Sequence, residues 1–130
     1  MSEVAAVQEL LSLNVRLLEA IDKQDWPAYR ELCDSTITAF EPEAVGHLVS
    51  GLPFHEFYFQ ERTGPRRQST VSSPHVRLMG DIAVVSYVRL TQRAEESGRF
   101  VTRAAEETRV WQRRNGAWKH VHCHRSPIGS

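Results

Sequence analysis

Residues 106–118 read EETRVWQRRNGAW, and this stretch decides the fold. The Asn115-Gly116 pair near its end is a strong signal for a two-residue hairpin turn, because both residues accept the positive φ that such a turn requires. The flanking residues are rich in Val, Thr and Trp, which favour β-strands. We therefore predict two antiparallel strands, over residues 99–114 and 118–125.

Two further strands are predicted before this hairpin. Residues 70–79 and 82–94 are again rich in Val, Thr and Tyr, and Gly80-Asp81 supplies a turn between them. Together, the four segments predict a meander of long antiparallel strands.

The N-terminal half has a helical period instead. Apolar residues recur at three- and four-residue steps from Val4 to Ile21, which predicts a long amphipathic helix with Ser2 available as its cap. Asp25, followed by Pro27, predicts the start of a second, shorter helix that ends near Asp34 and carries Cys33 on its apolar face.

Between the helices and the meander lie a small hairpin and a third helix. Residues 36–40 and 44–49 are β-prone and are split by Glu41-Pro42-Glu43, which predicts a hairpin at a sheet edge. Residues 51–60 predict a short helix. Helices followed by strands indicate an α+β fold, in which the long helix packs across the concave face of a curved sheet.

Composition limits the classes of function. The 130 residues fit one domain, 1–130, and the mixture of 41% apolar and 25% charged residues is typical of a globular fold. Sixteen basic residues balance sixteen acidic ones, so we expect neither nucleic acid nor a membrane surface as a partner, and no stretch is long enough to span a bilayer. Cys33 and Cys123 lack metal-ligand spacing and fit buried thiols in the cytoplasm.

Several strings resemble one family along nearly the whole chain. They are FEPEA at 40–44, FH at 54–55, FYF at 57–59, YVRLTQ at 87–92, EETRVW at 106–111 and HCHRS at 122–126. In this order they resemble the association (hub) domain of calcium/calmodulin-dependent protein kinase II, as a stand-alone or non-animal homologue. The resemblance implies the cone-shaped fold of the nuclear transport factor two and ketosteroid isomerase type, dimers stacked into a closed two-layer ring, and a deep pocket in each subunit.

The resemblance also limits the expected activity. No glycine-rich phosphate loop, strand lysine or His-Arg-Asp catalytic loop occurs in the sequence, so we expect no kinase activity and no catalytic residue. Kinase domains would be partners only through a longer chain or another protein. The stretch between Phe59 and Pro74 is shorter than in typical animal members and lacks their tryptophan, which leaves ring size open.

The resemblance further implies a set of pocket residues. It places Arg89, Arg109 and Arg125, from three predicted strands, in the pocket with His55 and Tyr29 from helices. Because a carboxylate matches the guanidinium fork, a small carboxylate is the ligand that we expect there. The alternative is that these arginines pair internally with carboxylates at Glu41, Glu106 or Glu107 and only rigidify the fold.

Three histidines raise the question of a metal. His120, His122 and His124 alternate along one predicted strand and would share a face, which would suit zinc, whereas Cys123 would face the other way. An interface or stacking role is the simpler interpretation, so we expect no metal and no cofactor.

Two classes of function remain. The first is a self-assembling hub, ring-like and built from dimers, with a dimer as the alternative state and with ligand occupancy able to shift assembly. The second is an isomerase- or dehydratase-like enzyme of the same fold, with His55 and Tyr58 as candidates. Against the enzyme, the sequence shows no carboxylate clearly placed in the pocket to act as a base.

Overall fold

Three helices and a six-stranded sheet make up the computed structural model, which describes residues 2–61 and 66–129 except for the side chains of residues 58, 60 and 61. The helices are α1 (Glu3–Lys23), α2 (Trp26–Leu32) and α3 (Leu52–Glu61). The strands are β1 (Cys33–Phe40), β2 (Val49–Ser50), β3 (Arg67–Met79), β4 (Ile82–Ala94), β5 (Phe100–Arg114) and β6 (Ala117–Ile128), and a 3-10 turn spans Pro42–Ala44. This is the predicted α+β fold, with the helices on a curved sheet.

The helix starts follow the capping chemistry of the sequence. The side chain of Ser2 accepts a hydrogen bond from the amide of Ala5 at 3.1 Å and caps α1. The side chain of Asp25 accepts a hydrogen bond from the amide of Ala28 at 3.2 Å and caps α2. Both predicted N-caps are confirmed.

The sheet has the strand order β2-β1-β6-β5-β4-β3. The long strands β3 to β6 pair antiparallel, and the β5–β6 turn has positive φ at both Asn115 and Gly116, as predicted. β1 pairs antiparallel with β2 but parallel with β6, which the sequence analysis did not anticipate. This parallel pair joins strands that are far apart in sequence, and local sequence patterns do not indicate such pairs.

The core lies between α1 and the concave face of the sheet. Leu10, Leu17 and Leu18 on α1 are buried in one cluster with Val85 of β4 and Trp111 of β5. The buried residues Ala6, Leu10, Asn14 and Leu17 follow one another at four-, four- and three-residue steps, so the period that predicted the helix also supplies its buried side.

The prediction for Cys33 is wrong in its element. α2 ends at Leu32, and Cys33 is the first residue of β1, where it pairs with His120. The local apolar spacing allowed the helix to continue to Asp34, but pairing with β6 takes Cys33 into the sheet.

The prediction that His120, His122 and His124 share a face is also wrong. The partner of Val110 is His122, while the partner of Trp111 is His120, so Val121 is an extra residue that forms a β-bulge. The bulge reverses the alternation, because His120 and Cys123 are both buried whereas His124 is exposed.

A buried polar contact fixes α1 on the sheet. Trp111 donates its indole N–H to the side-chain oxygen of Asn14 at 3.1 Å, and both residues are almost fully buried.

We expect Asn14→Ala to lower the free energy of unfolding by about 1–3 kcal/mol, because the indole N–H would lose its acceptor. Urea denaturation at one protein concentration measures the change. Gln8→Ala, at an exposed position of the same helix, is the control, and equal stability of the two variants would contradict the role of Asn14.

Candidate functional site

A cavity of about 110 Å³ opens between the helices and the concave face of the sheet. Each of the three helices contributes to its wall, as do β3, β4 and β6. The lining residues are Ile21, Tyr29, Glu41, Glu43, His55, Phe59, Arg67, Arg89, Thr91 and Arg125.

Beside the cavity, Glu107 is the centre of a buried ionic network. One carboxylate oxygen accepts hydrogen bonds from Tyr87 at 2.5 Å and from Arg109 at 3.1 Å, and the other accepts from Arg89 at 3.2 Å. Burial alone would raise the pKa of Glu107, but the charges of Arg109 and Arg89 and the Tyr87 hydrogen bond outweigh it and lower the pKa to about 2. Glu107 is therefore ionised and fully committed to internal partners.

Arg89 has a bond on each of its guanidinium nitrogens. Besides Glu107, it donates to Ser69 at 2.8 Å and to Asp22 at 2.8 Å. Asp22 also pairs with Arg67, with 3.3 Å between Nε and Oδ1. Because Asp22 lies near the end of α1, these ion pairs hold the helix end against β3 and β4.

Arg109 lies behind the cavity wall. Its three nitrogens bond to Tyr87 at 2.9 Å, His120 at 3.3 Å and Glu107 at 3.1 Å. His120 in turn contacts the sulfur of Cys33 at 3.4 Å. Burial, and next the charge of Arg109, lower the pKa of His120 well below its usual range, so this imidazole is neutral and is a bonding partner for Arg109.

Arg125 pairs with a carboxylate at the cavity rim. Its Nη2 lies 2.6 Å from Glu43 in the 3-10 turn, and both side chains are partly exposed. Glu41 lines the same part of the cavity, and its pKa is raised by burial and by the charge of Glu43, against the opposing effect of Arg125. Two carboxylates therefore share the field of one partly exposed guanidinium.

Tyr29 and His55 form a neutral hydrogen-bonded pair in the wall. The hydroxyl of Tyr29 lies 2.7 Å from Nδ1 of His55, and burial, followed by the charge of Arg109, lowers the pKa of His55 to about 4. Nε2 of His55 is buried and has no hydrogen-bond partner in the described part of the chain. When Tyr29 donates to Nδ1, Nε2 carries the proton and can donate it to an acceptor.

The structure thus brings four of the five expected pocket residues to one cavity. Tyr29, His55, Arg89 and Arg125 line it, whereas Arg109 does not. Internal pairing of the arginines, the alternative considered from the sequence, occurs at Glu107. Among the described contacts no ion pair joins an arginine to Glu41 or Glu106, and Arg125 pairs instead with Glu43.

Sequence reasoning missed three charged residues of the site: Asp22, Glu43 and Arg67. It named Glu41 only as an internal partner of the arginines, although Glu41 had a usable signal for the cavity, because it continues the alternation of Ile37 and Ala39, which are fully buried on the inner face of β1. The positions of Asp22, Glu43 and Arg67 depend on where separate elements meet, and no local pattern indicates that.

The three histidines of β6 do not converge on one site. His120 bonds to Arg109 and Cys33, while His122 bonds to Thr38 at 2.7 Å and, like His124, contacts the ring of Phe40. Within residues 2–61 and 66–129 no cluster of three His, Cys, Asp or Glu side chains could hold a metal ion. Over the same residues, no helix is long and apolar enough to cross a membrane.

The comparison with protein families identifies the chain. The model of the calcium/calmodulin dependent protein kinase II association domain matches residues 6–129, and the chain belongs to this family. The delta subunit of calcium/calmodulin-dependent protein kinase type II from Oryctolagus cuniculus is 46% identical over 126 residues, which cover 94% of this chain and 24% of that relative. The chain thus spans about a quarter of the length of the curated relatives that it matches.

Solved structures give the same family and the wider fold. The hub homology domain from Chlamydomonas reinhardtii is 50% identical, with a TM-score of 0.90 and coverage of 95% of this chain and 99% of that one. A putative dehydratase of the NTF2-like family from Streptomyces avermitilis has a TM-score of 0.81, covering 99% of this chain and 100% of that one. At 19% identity, the second likeness shows the fold alone. The predicted resemblance and fold type are confirmed.

The lowered pKa of Glu107 predicts a pH dependence of stability. Since its folded-state pKa of about 2 lies below the ordinary 4.5, Glu107 contributes stability that is complete above about pH 4.5 and is lost as the pH falls toward 2. We expect Glu107→Gln to cost about 3–5 kcal/mol at neutral pH, because two buried guanidiniums lose their shared carboxylate. The difference from wild type should shrink below about pH 4.5.

Urea denaturation across this pH range measures the effect. Glu19→Gln, which removes one partner of an exposed ion pair with Lys23, is the matched control and should change stability little at any pH. A constant difference between Glu107→Gln and wild type at all pH values would contradict the assignment to Glu107.

Proposed function

We propose that this chain is a self-assembling oligomerisation hub that forms a ring-like homo-oligomer from dimers and has no catalytic activity of its own. The observation that carries the proposal is the family match over residues 6–129, since members of this family are described as association or hub domains. Kinase domains are partners in this proposal only where a longer chain or another protein supplies them. The two buried, unpaired cysteines support the cytoplasm as its location.

Exposed apolar side chains support association. Phe40 on the outer face of β1 is 43% exposed, and Phe57 on α3 is 60% exposed. Phe40 packs against His122 and His124, so it forms a patch with the outer face of β6 rather than an isolated side chain. Exposed aromatic side chains are enriched in protein–protein contacts.

The first test is the mass of the particle in solution. Light scattering coupled to size exclusion should give a particle of many subunits whose mass does not change with concentration. Phe40→Asp should lower that mass, because association would bury a carboxylate against apolar surface. Ser97→Asp, in the exposed turn between β4 and β5, is the control and should assemble like wild type.

Two other results would contradict parts of the proposal. If Phe40→Asp assembles fully, the outer face of β1 and β6 is not a contact surface. If wild type is a dimer or a monomer, ring assembly fails and the enzyme becomes the leading hypothesis.

The cavity of the hub takes a small carboxylate in this proposal. The support is the polar character of its wall, where Nε2 of His55 has no partner in the described chain and Arg125 lies at the rim. Charge-assisted bonds to a guanidinium are strong when water is excluded, and a neutral imidazole N–H adds a directional donor. Arg109 has a positioning role here, because its bonds hold Tyr87 and Glu107 and its side chain does not line the cavity.

Titration calorimetry with butyrate tests the cavity. We expect Arg125→Gln to weaken butyrate binding roughly tenfold or more, because the charged partner of the ligand is lost. Arg99→Gln, which breaks an exposed ion pair with Glu95 away from the cavity, should bind like wild type. Unchanged affinity in Arg125→Gln would remove Arg125 from the site.

A second candidate, proton-transfer catalysis on a small molecule, gains support from Glu41. Sequence reasoning found no pocket carboxylate to act as a base, yet Glu41 lines the cavity and its pKa is raised, first by burial. Tyr29 and His55 would then supply hydrogen bonds opposite the base. Tyr58, the other residue first considered, has a side chain outside the described part of the structure.

A further inference from the structure

Arg67 carries a buried hydrogen-bond donor that lacks an acceptor. Its Nε atom is buried and has no hydrogen-bond partner in the described part of the chain. Nε lies 3.3 Å from Oδ1 of Asp22, but the hydrogen bond to that oxygen comes from Arg89, at 2.8 Å. A buried donor without an acceptor costs free energy, and a charged donor costs more than a neutral one. Because Arg67 lines the cavity, an acceptor on a bound ligand could remove this cost.

The other two guanidiniums of the cavity wall have hydrogen-bond partners. Each of the three side-chain nitrogens of Arg89 donates a hydrogen bond inside the fold. Arg125 donates to Glu43 at the rim, at 2.6 Å. Arg67 on β3 therefore has the lining guanidinium with a buried nitrogen still open to a ligand.

The ion pairs that include Arg67 carry an excess of positive charge. Among the described residues they link three guanidiniums and two carboxylates, in the order Arg67, Asp22, Arg89, Glu107 and Arg109. Arg67 is at the end of this series, and it shares its one carboxylate contact with Arg89. A further carboxylate beside Arg67 would complete the alternation of charges, which is how buried charges are compensated.

Arg67 and Arg125 lie toward different mouths of the cavity. Arg125 also lines an open groove with Phe40 and Val45, whereas Arg67 lines another groove with Lys23 and Phe100. In the sheet order β6-β5-β4-β3 their strands are three steps apart, which corresponds to about 14 Å between the backbones. A linear ligand with an acceptor group at each end suits this placement.

We propose that Arg67 is a second anion-binding position of the cavity and that the ligand is a small dicarboxylate. The inference rests on the proposed carboxylate binding, in which one carboxylate is held by Arg125 and His55. The second carboxylate accepts a hydrogen bond from Nε of Arg67, so the buried donor is satisfied and the excess positive charge is compensated. Arg67 is then a specificity-determining residue that selects a dicarboxylate over a monocarboxylate of the same length.

Titration calorimetry with diacids and their esters tests the second position. Succinate, glutarate and adipate are each compared with their monomethyl ester, which keeps the chain but has only one carboxylate. At least one diacid should bind wild type roughly tenfold or more tightly than its ester, because a shielded bond between carboxylate and guanidinium is strong. Arg67→Gln should abolish this preference and leave the affinity for butyrate unchanged.

Two further variants control for charge and for the substitution itself. Arg67→Lys keeps the positive charge but lacks the guanidinium Nε, so it should retain only part of the preference for the diacid. Arg77→Gln removes an exposed arginine of the same strand and should match wild type. Asp22 keeps its bond to Arg89 in all of these variants, so they should fold, and an unchanged particle mass verifies this.

The outcomes distinguish this inference from the proposed function. If wild type binds butyrate but no diacid binds more tightly than its ester, the second position is wrong while the carboxylate site stands. The same conclusion follows if Arg67→Gln or Arg67→Lys keeps the full preference, since another group or charge alone then causes it. If Arg67→Gln loses butyrate as well, Arg67 holds the first carboxylate and the inference is wrong. If wild type binds neither butyrate nor a diacid, the carboxylate site itself fails and the second position falls with it.

Discussion

The packing of the helices on the concave face of the sheet depends on the ion pairs of one buried carboxylate, that of Glu107. It holds Arg89 of β4 and Arg109 of β5 at once, and Tyr87 supplies a further hydrogen bond. Through Arg89 the network reaches Asp22 at the end of α1, and through Arg109 it reaches His120 on β6. Because each guanidinium would be an uncompensated buried charge without its carboxylate, the helix and strands must keep this arrangement together. The interior is therefore rich in arginine without being strongly basic.

Much of the fold could be predicted from local chemistry. Asn115-Gly116 needs no partner to favour its turn, and the caps at Ser2 and Asp25 are set within a few residues. The features that escaped prediction depend on distant partners. Cys33 joins β1 because β6 is beside it, and the bulge at Val121 is visible only from the register with β5. Alternation along β6 therefore placed His120 on the wrong face, while His122 and His124 do share one.

The candidate site likewise contains residues that could be expected and partners that could not. Tyr29, His55, Arg89 and Arg125 were expected from the family resemblance, and the structure brings them to one cavity. Their ionic partners could not be expected in the same way, because the pairing of Arg125 with Glu43 joins residues 82 positions apart. The distinction matters physically, since the partner of each guanidinium and the exposure of that partner decide how firmly the guanidinium is held in the fold.

The parallel pairing of β1 with β6 also determines when the sheet can be completed. Cys33 of β1 pairs with His120 of β6, so this pairing closes a loop that includes most of the chain. Such long-range pairing forms slowly, because the chain entropy of the loop must be lost before the ladder is gained. During synthesis, α1, α2 and β1 leave the ribosome before β6, so β1 lacks its parallel neighbour until β6 has followed. One side of β1 thus stays unpaired while the strands between them are made, and folding of the sheet on the helices is completed only after β6 has emerged.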